Sequence, residues 1–230
     1  MRVQNYYKKM IYTNLFVLFG KNVYFCTILT EKDRTNRYDY IRKAEISDAA
    51  FIAEGIYNAF LLEDSTIEGS CSLRQKWMET LTDICAQVDT HYSYTNTFIA
   101  ELDGEIAGMM IAIDGKNYRF QREKMYPQLK SLFDIAFGEK WEEMEDEARP
   151  REYYIDSLSV LPIYRHRGVG TVLIEHAKQQ AKALKIPRVT LAVEPMNVAK
   201  MLYQHMGFEF ERKITIFNEL YHLYVNKINF

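Results

Sequence analysis

Between Arg165 and Thr171 the chain reads Arg-His-Arg-Gly-Val-Gly-Thr, a set of residue types suited to holding an anion. Gly168 and Gly170 allow a backbone to approach a ligand closely, and Arg165, His166 and Arg167 add charge and hydrogen-bond donors. A helix opens directly after this turn, and the N–H groups and partial positive charge of its first turn make a seat for phosphate. A strand-to-helix turn that is merely basic would share these features. Two well-known phosphate loops are excluded. A Walker-type loop ends in Gly-Lys-Ser/Thr, whereas Gly168-Val169-Gly170-Thr171 has no lysine. A dinucleotide fingerprint needs a third glycine where Leu173 stands.

The surviving pattern is Arg/Gln-x-x-Gly-x-Gly/Ala, met by Arg165 to Gly170. Downstream, Ala199, Leu202-Tyr203 and Gly207-Phe208 follow the A-x-x-L-Y-x-x-x-G-F part of an N-x-x-A-x-x-L-Y-x-x-x-G-F pattern, with Asn197 one residue closer to the alanine than that pattern has it. Together they resemble the GNAT superfamily of acyl-CoA N-acetyltransferases. Two motifs in this order, about thirty residues apart, are far more specific than either alone. The resemblance is strong from Tyr153 to Phe210 and weak before Ile41.

The resemblance implies an α/β (α+β) fold: a GNAT-like mixed, mostly antiparallel twisted sheet flanked by helices. It implies acetyl-CoA as the acyl donor and no metal. The turn Arg165, His166, Arg167, Gly168, Val169, Gly170 and Thr171 would cradle the pyrophosphate, with Asn197 and Tyr203 completing the coenzyme site. In this family the fourth and fifth strands splay apart and pantetheine lies between them. Leu158, Ser159 and Val160 would then supply the thioester contacts, including an N–H for the oxyanion. The motif position of Tyr203 matches the family's proton-donating tyrosine, although the same residue shares a helix stripe with Ala199, Leu202 and Met206.

The acceptor amine must also lose a proton. A lysine-like amine of pKa about 10.4 is neutral only about four times in ten thousand at pH 7. Asp156 on the fourth strand and Glu194 after the fifth are the carboxylates placed to raise that fraction. Asp156 could instead anchor a neighbouring backbone, and Glu194 could simply lie at the surface. The expected activity is acetyl transfer to a primary amine by direct attack in a ternary complex. A same-fold transferase using another acyl-CoA or an alcohol, and a non-catalytic acyl-CoA sensor or interaction module, are the alternatives. Retention of Tyr203 speaks against the sensor, which needs no proton donor.

These residues need a framework, and 230 residues are enough for one sizeable core. A net charge of −2 gives no support for nucleic-acid binding. Cys26, Cys71 and Cys85 show no paired spacing, and with five scattered histidines they offer no metal constellation; they suit a reducing cytoplasm. A homodimer is compatible with the sequence.

Residues 1–37 read as an extension before a domain covering 38–230. Ile11 to Leu29 is apolar but interrupted by Asn14, Lys21 and Asn22, so a membrane span is disfavoured and a hairpin at Gly20-Lys21-Asn22 is preferred. Tyr38 to Ile46 reads as a first strand. Ser47 and Asp48 would cap a helix with Ile52, Ile56, Ala59 and Phe60 inward. Ser72 and Gln75 open another, with Leu73, Trp77, Leu81, Ile84 and Val88 on one side.

Asp103-Gly104 marks a hairpin between Phe98–Ala100 and Ile106–Ile113. An insertion at 116–150 follows. Tyr126-Pro127 starts a helix with Leu129, Leu132, Phe133 and Ala136 inward, then comes an acidic run: Glu139, Glu142, Glu143, Glu145, Asp146 and Glu147. That run is either a solvated face or a lid attracting a cationic acceptor. Beyond the phosphate turn, Ile174, Ala177, Ala181 and Leu184 form a helix stripe. Arg188 to Val193 is the fifth strand, Asn197 caps a helix ending at Met206 and Gly207, and Phe208–Phe217 pairs with Tyr221–Ile228.

Overall fold

The computed structural model describes residues 41–59, 70–137 and 145–230. The expected extension, its apolar stretch, the Gly20 hairpin and the boundary at 37/38 lie outside them. Strand β1 (Ile41–Lys43) is followed by α1 (Ala49–Ala59), α2 (Ser70–Cys85), β2 (Thr97–Leu102), β3 (Glu105–Asp114) and α3 (Gly115–Phe137). Then come β4 (Glu152–Val160), α4 (Val169–Ala183), β5 (Arg188–Val193), α5 (Ala199–His205), β6 (Glu209–Ile216) and β7 (Glu219–Lys227). The seven strands form one sheet in the order β1-β2-β3-β4-β5-β7-β6. Every pairing is antiparallel except β4 with β5, which α4 connects. This is the mixed, mostly antiparallel sheet expected from the resemblance.

Alternation along the strands divides the core between the two faces of the sheet. On one face Met109, Ile111 and Ile113 of β3 meet Ile52 and Ile56 of α1, Trp77 and Leu81 of α2, and Leu129 and Phe133 of α3. On the other, Tyr153 and Ile155 of β4 and Val189 and Leu191 of β5 pack under Leu173, Ile174, Ala177 and Ala181 of α4. Two tight hairpins frame the sheet. Asp103-Gly104 and Phe217-Asn218 each place two successive residues at positive φ, the twist-matched turn of short hairpins.

Several element boundaries differ from the sequence reading. The first strand ends at Lys43 instead of Ile46, and Ile46–Asp48 forms a single 3₁₀ turn. Asp48 is buried and accepts from the Arg42 guanidinium (2.6 and 2.9 Å) and the Glu45 amide (2.7 Å), so it ties β1 to α1 instead of capping α1 simply. Ala59 faces out of α1, which buries Ala53 and Tyr57 instead. Helix α2 begins at Ser70 and stops at Cys85, leaving Val88 beyond it and 57% exposed. Leu184 caps the end of α4 and is 53% exposed, so the buried stripe of that helix stops at Ala181.

The largest difference is α3, which starts at Gly115 and runs through Pro127 without stopping. Pro127 has no N–H for the carbonyl four residues earlier, but Tyr118, Met125, Leu129, Leu132 and Phe133 bury one continuous face that holds the helix together. Gly115 is required where it stands. A Cβ there would lie 2.0 Å from the Arg149 carbonyl oxygen.

Candidate active site

Strands β4 and β5 pair over only four positions, Glu152↔Arg188 to Ile155↔Leu191. Beyond that point β4 stays on β3 as far as Val160↔Gly108, and β5 stays on β7 as far as Val193↔His222. The sheet therefore forks. At the fork the β3–β4 register slips, with Ile111 opposite Ser157 and Ala112 opposite Ile155, so Asp156 is an extra residue without a partner. A bulge of this kind bends its strand and re-aims side chains. Residues 156–160 are half-buried, whereas 152–155 are buried.

Strand geometry fixes which backbone groups face the fork. The Leu161 N–H donates to the Ala107 carbonyl (2.9 Å), and Ser159↔Met109 and Ser157↔Ile111 follow in the same register. In an antiparallel ladder such positions alternate, so Ser157, Ser159 and Leu161 spend their backbone groups on β3. Leu158 and Val160 turn theirs to the side that β5 has left. Consistent with this, the Val160 carbonyl accepts from Arg165 Nε at 3.2 Å. Of the three residues expected to line the thioester, Ser159 thus has its backbone turned away. Gly108 keeps β3 close here, since a Cβ on it would lie 2.5 Å from the Ser159 oxygen.

The basic turn closes the end of the fork. His166 and Gly168 have positive φ (61° and 83°), and α4 begins at Val169 with Gly168 as an N-cap that offers no side-chain acceptor. The N–H groups of Gly168, Val169, Gly170 and Thr171 therefore lack intrahelical carbonyls and sit at the positive end of the helix dipole. Gly170 lies in the first turn, inside the helix. A Cβ there would touch Leu158 (3.6 Å), Leu202 (3.7 Å) and Val160 (4.0 Å), so β4, α4 and α5 converge on this glycine. Arg167 stacks over the Tyr164 ring at 5.6 Å. Asn197 stands one residue before the Val198 N-cap of α5, and its Oδ1 accepts from the Ala199 amide (2.9 Å).

Tyr203 stands on α5 with its ring edge-on to Phe208 (6.2 Å). Burial pushes its phenol up to about 12. Glu194 follows β5 on the far wall of the fork; burial, with Glu219 nearby, raises its carboxyl, and the Tyr221 hydroxyl donates to it at 3.5 Å.

Asp156 leads into a buried cluster that the sequence reading did not identify. Ser157 Oγ donates to Asp156 Oδ2 (2.7 Å), and His91 Nε2 lies 2.9 Å from Asp156 Oδ1. Behind them Glu147 accepts from the hydroxyls of Tyr118 (3.0 Å) and Tyr154. Burial raises the Glu147 carboxyl, and the negative charge of Asp156 adds to the effect against the two tyrosines and His91. Glu147, expected on a solvated face or an acidic lid, is buried instead. Its neighbours are also committed: Asp146 pairs with Arg119 and Arg122, and Glu145 pairs with Arg212 and the Thr215 amide. None of the three is helical, so this end of the run is neither a solvated helix face nor an open acidic lid. Glu139, Glu142 and Glu143 lie outside the described residues.

Among the described residues no group of histidine, cysteine and carboxylate side chains could hold a metal ion. No helix among them is long and apolar enough to cross a membrane.

Comparison with known proteins agrees with this geometry. Residues 54–208 match the model of the acetyltransferase (GNAT) family. A stretch of 88 residues, 38% of this chain, is 35% identical to the human Cysteine-rich protein 2-binding protein, and it spans 10% of the length of that relative. Among solved structures, an N-acetyltransferase from Staphylococcus aureus Mu50 superposes with a TM-score of 0.63 at 22% identity, over 81% of this chain and 99% of that one. Another acetyltransferase reaches 0.59 at 22% identity, over 82% and 99%. At such identities these two establish the fold.

Proposed function

The chain belongs to the GNAT family of acetyltransferases, and from that premise we propose that it moves an acetyl group from acetyl-CoA to a primary amine by direct attack within a ternary complex. The family implies use of an acyl-CoA. The observation that carries the finer reading is the fork after Ile155↔Leu191, with a glycine-rich helix start closing one end of it.

The residues present fit the donor. The first-turn amides at Gly168–Thr171 suit the pyrophosphate, and the small Gly170 leaves a gap between Leu158 and Leu202. When bound, acetyl-CoA supplies the activated thioester carbonyl. The Leu158 N–H, turned toward the fork, is the donor best placed to face charge developing on that carbonyl oxygen. Because it belongs to a strand held by β3, it needs no rearrangement to act.

On the acceptor side, Asp156 stands at the fork itself and Glu194 three residues beyond the last β5 pair. Two carboxylates on opposite walls favour a cationic amine in the cleft. Asp156 takes the role of base, because the bulge aims it and Ser157 holds it. Tyr203 acts at the other end of the reaction as a hydrogen-bond donor to the departing sulfur.

The test is incubation with acetyl-CoA and a mixture of primary amines: a peptide with a free α-amino group, a lysine peptide and a polyamine. Thiol release and mass spectrometry read the outcome. Amine-dependent thiol release with an acetylated product is expected. Tight binding of acetyl-CoA without thiol release toward any amine would favour the sensor reading.

A further inference from the structure

His91 lies in the loop between α2 and β2, far in sequence from either motif, yet it is 1% exposed and abuts the bulge residue of β4. We propose that His91 is a positioning and proton-sharing residue that works through Asp156, so that the amine's proton passes from the ammonium to the Asp156 carboxylate and on to the imidazole. The inference rests on Asp156 being the base, as read above. Only a proton moves. The electron pair left on nitrogen is the one that forms the new C–N bond, and the imidazolium later returns its proton to Asp156, which releases it to solvent at the fork.

Three observations point this way. First, Nε2 of His91 is 2.9 Å from Asp156 Oδ1, but among the described residues neither ring nitrogen has a hydrogen bond of acceptable geometry. A buried donor or acceptor left unmatched costs about 1–3 kcal/mol, and such a group needs a reason for being there. A ring that must pick up and release a proton beside a carboxylate is one.

Second, the loop is built to hold this ring. Asn96 Nδ2 donates to the carbonyls of Thr90 (3.0 Å) and His91 (3.1 Å) and to Gln121 Oε1 (3.2 Å). Thr90 Oγ1 reaches the Ile84 carbonyl (2.9 Å), Ser93 N the Thr90 carbonyl (3.2 Å), and Thr97 Oγ1 the Ser93 carbonyl (3.0 Å). A connecting loop normally runs over the surface, because its backbone groups need partners. Here side chains satisfy that need, and the loop carries a histidine inside.

Third, the surroundings suit an imidazolium. Asp156 is in contact and Glu147 lies behind it; the rings of Tyr92 (5.4 Å) and Tyr118 (5.1 Å) flank the imidazole. A carboxylate in contact with the ring gives a proton on Nε2 a partner. The charged and titratable groups that face the ring are therefore Asp156, Glu147, Tyr92 and Tyr118.

The test compares His91→Phe, His91→Gln and Asp156→Asn with the unaltered protein, using the same amine mixture. Melting temperature and acetyl-CoA affinity establish that each variant is intact. His91→Phe and His91→Gln should lower kcat at least tenfold and displace the acid limb of kcat/KM for the amine by about a pH unit. Combined with Asp156→Asn they should add little further loss, since both act on one proton. Intact variants with kcat within twofold of normal and an unmoved limb overturn the role of His91, while a slow Asp156→Asn leaves Asp156 as the base. A normal Asp156→Asn overturns both. If the His91 variants do not fold, ¹⁵N-histidine NMR of the unaltered protein decides. The His91 ring should titrate over the acid limb of kcat/KM, and a ring that keeps one protonation state across it overturns the proposal.

Discussion

Tyr203 shows how the environment of a residue limits the chemistry its type suggests. In the proposed reaction a phenol at about 12 would meet a departing thiolate near 8.5, so full proton transfer would run uphill by roughly 5 kcal/mol. The raised value keeps the hydroxyl protonated throughout the working range, and a protonated hydroxyl can always donate a hydrogen bond. Tyr203→Phe retains the ring against Phe208, so kcat should fall about 10- to 100-fold while acetyl-CoA affinity and melting temperature stay put. The unaltered enzyme should show no loss of kcat from this group below about pH 10. A normal kcat in the variant, with chemistry rate-limiting, would reduce Tyr203 to packing. Gly168 makes a separate prediction. At φ 83° it holds a conformation that side chains resist, and it caps the helix start proposed to seat the pyrophosphate. Gly168→Glu adds strain and like charge, so acetyl-CoA should bind at least tenfold more weakly, about 1.4 kcal/mol, by calorimetry. An unchanged dissociation constant in a folded variant would move the pyrophosphate elsewhere.

At the scale of elements, the buried Glu147 joins α3, the segment before β4, and β4 itself through Tyr118 and Tyr154. Its carboxyl is raised, so the folded state holds its proton more tightly than the unfolded chain does. The stability this brings is present below the ordinary glutamate range, about pH 4.3, and is lost as pH rises through the raised value. Glu194 is raised too and acts in the same sense, so the comparison must isolate Glu147. The melting temperature of the unaltered protein minus that of Glu147→Gln should be greatest at low pH and shrink toward pH 8. A constant difference would mean that Glu147 titrates as in the unfolded chain. This network also marks where local pattern stops informing. Strands β2 to β5, the hairpin at Asp103-Gly104 and α4 were legible, because their signals lie within a few residues of one another. The start of α3 was missed because Pro127 looks like a first-turn proline, and only burial of Tyr118 and Met125 reveals the earlier turns. Glu147 belonged by composition to an acidic run, while its partners come from 29 and 7 residues away. His91 carries no local signal at all. The glycine turn and Tyr203 were singled out through paired motifs, whereas the fork and bulge at Asp156 are properties of strand register.

For the whole molecule, the site is assembled late in the chain and supported from earlier. Both walls of the fork, the phosphate turn and Tyr203 lie after Glu152, but His91, Asn96 and Gly108 come from the first half of the described fold. The first described element, β1, is an edge strand on the far side of the sheet from β7 and β6. It is held from within the described residues: Arg42 bridges to Asp48 and Glu101 (2.6 Å each), and the Ala44 amide donates to the Thr97 carbonyl (3.0 Å). The part-exposed Arg42–Glu101 pair contributes about 0–1 kcal/mol, and Arg42 also neutralises the buried Asp48. The sheet order, the fork and the glycine turn described above are built from residues 41–59, 70–137 and 145–230. A protein beginning at Tyr38 should fold cooperatively, bind acetyl-CoA within twofold of the full chain and release thiol with the amine mixture at a similar rate. Calorimetry and the thiol assay on the two lengths check this directly. A shortened protein that folds and binds acetyl-CoA but does not turn over would place part of the amine site, or a contact that completes it, within residues 1–37.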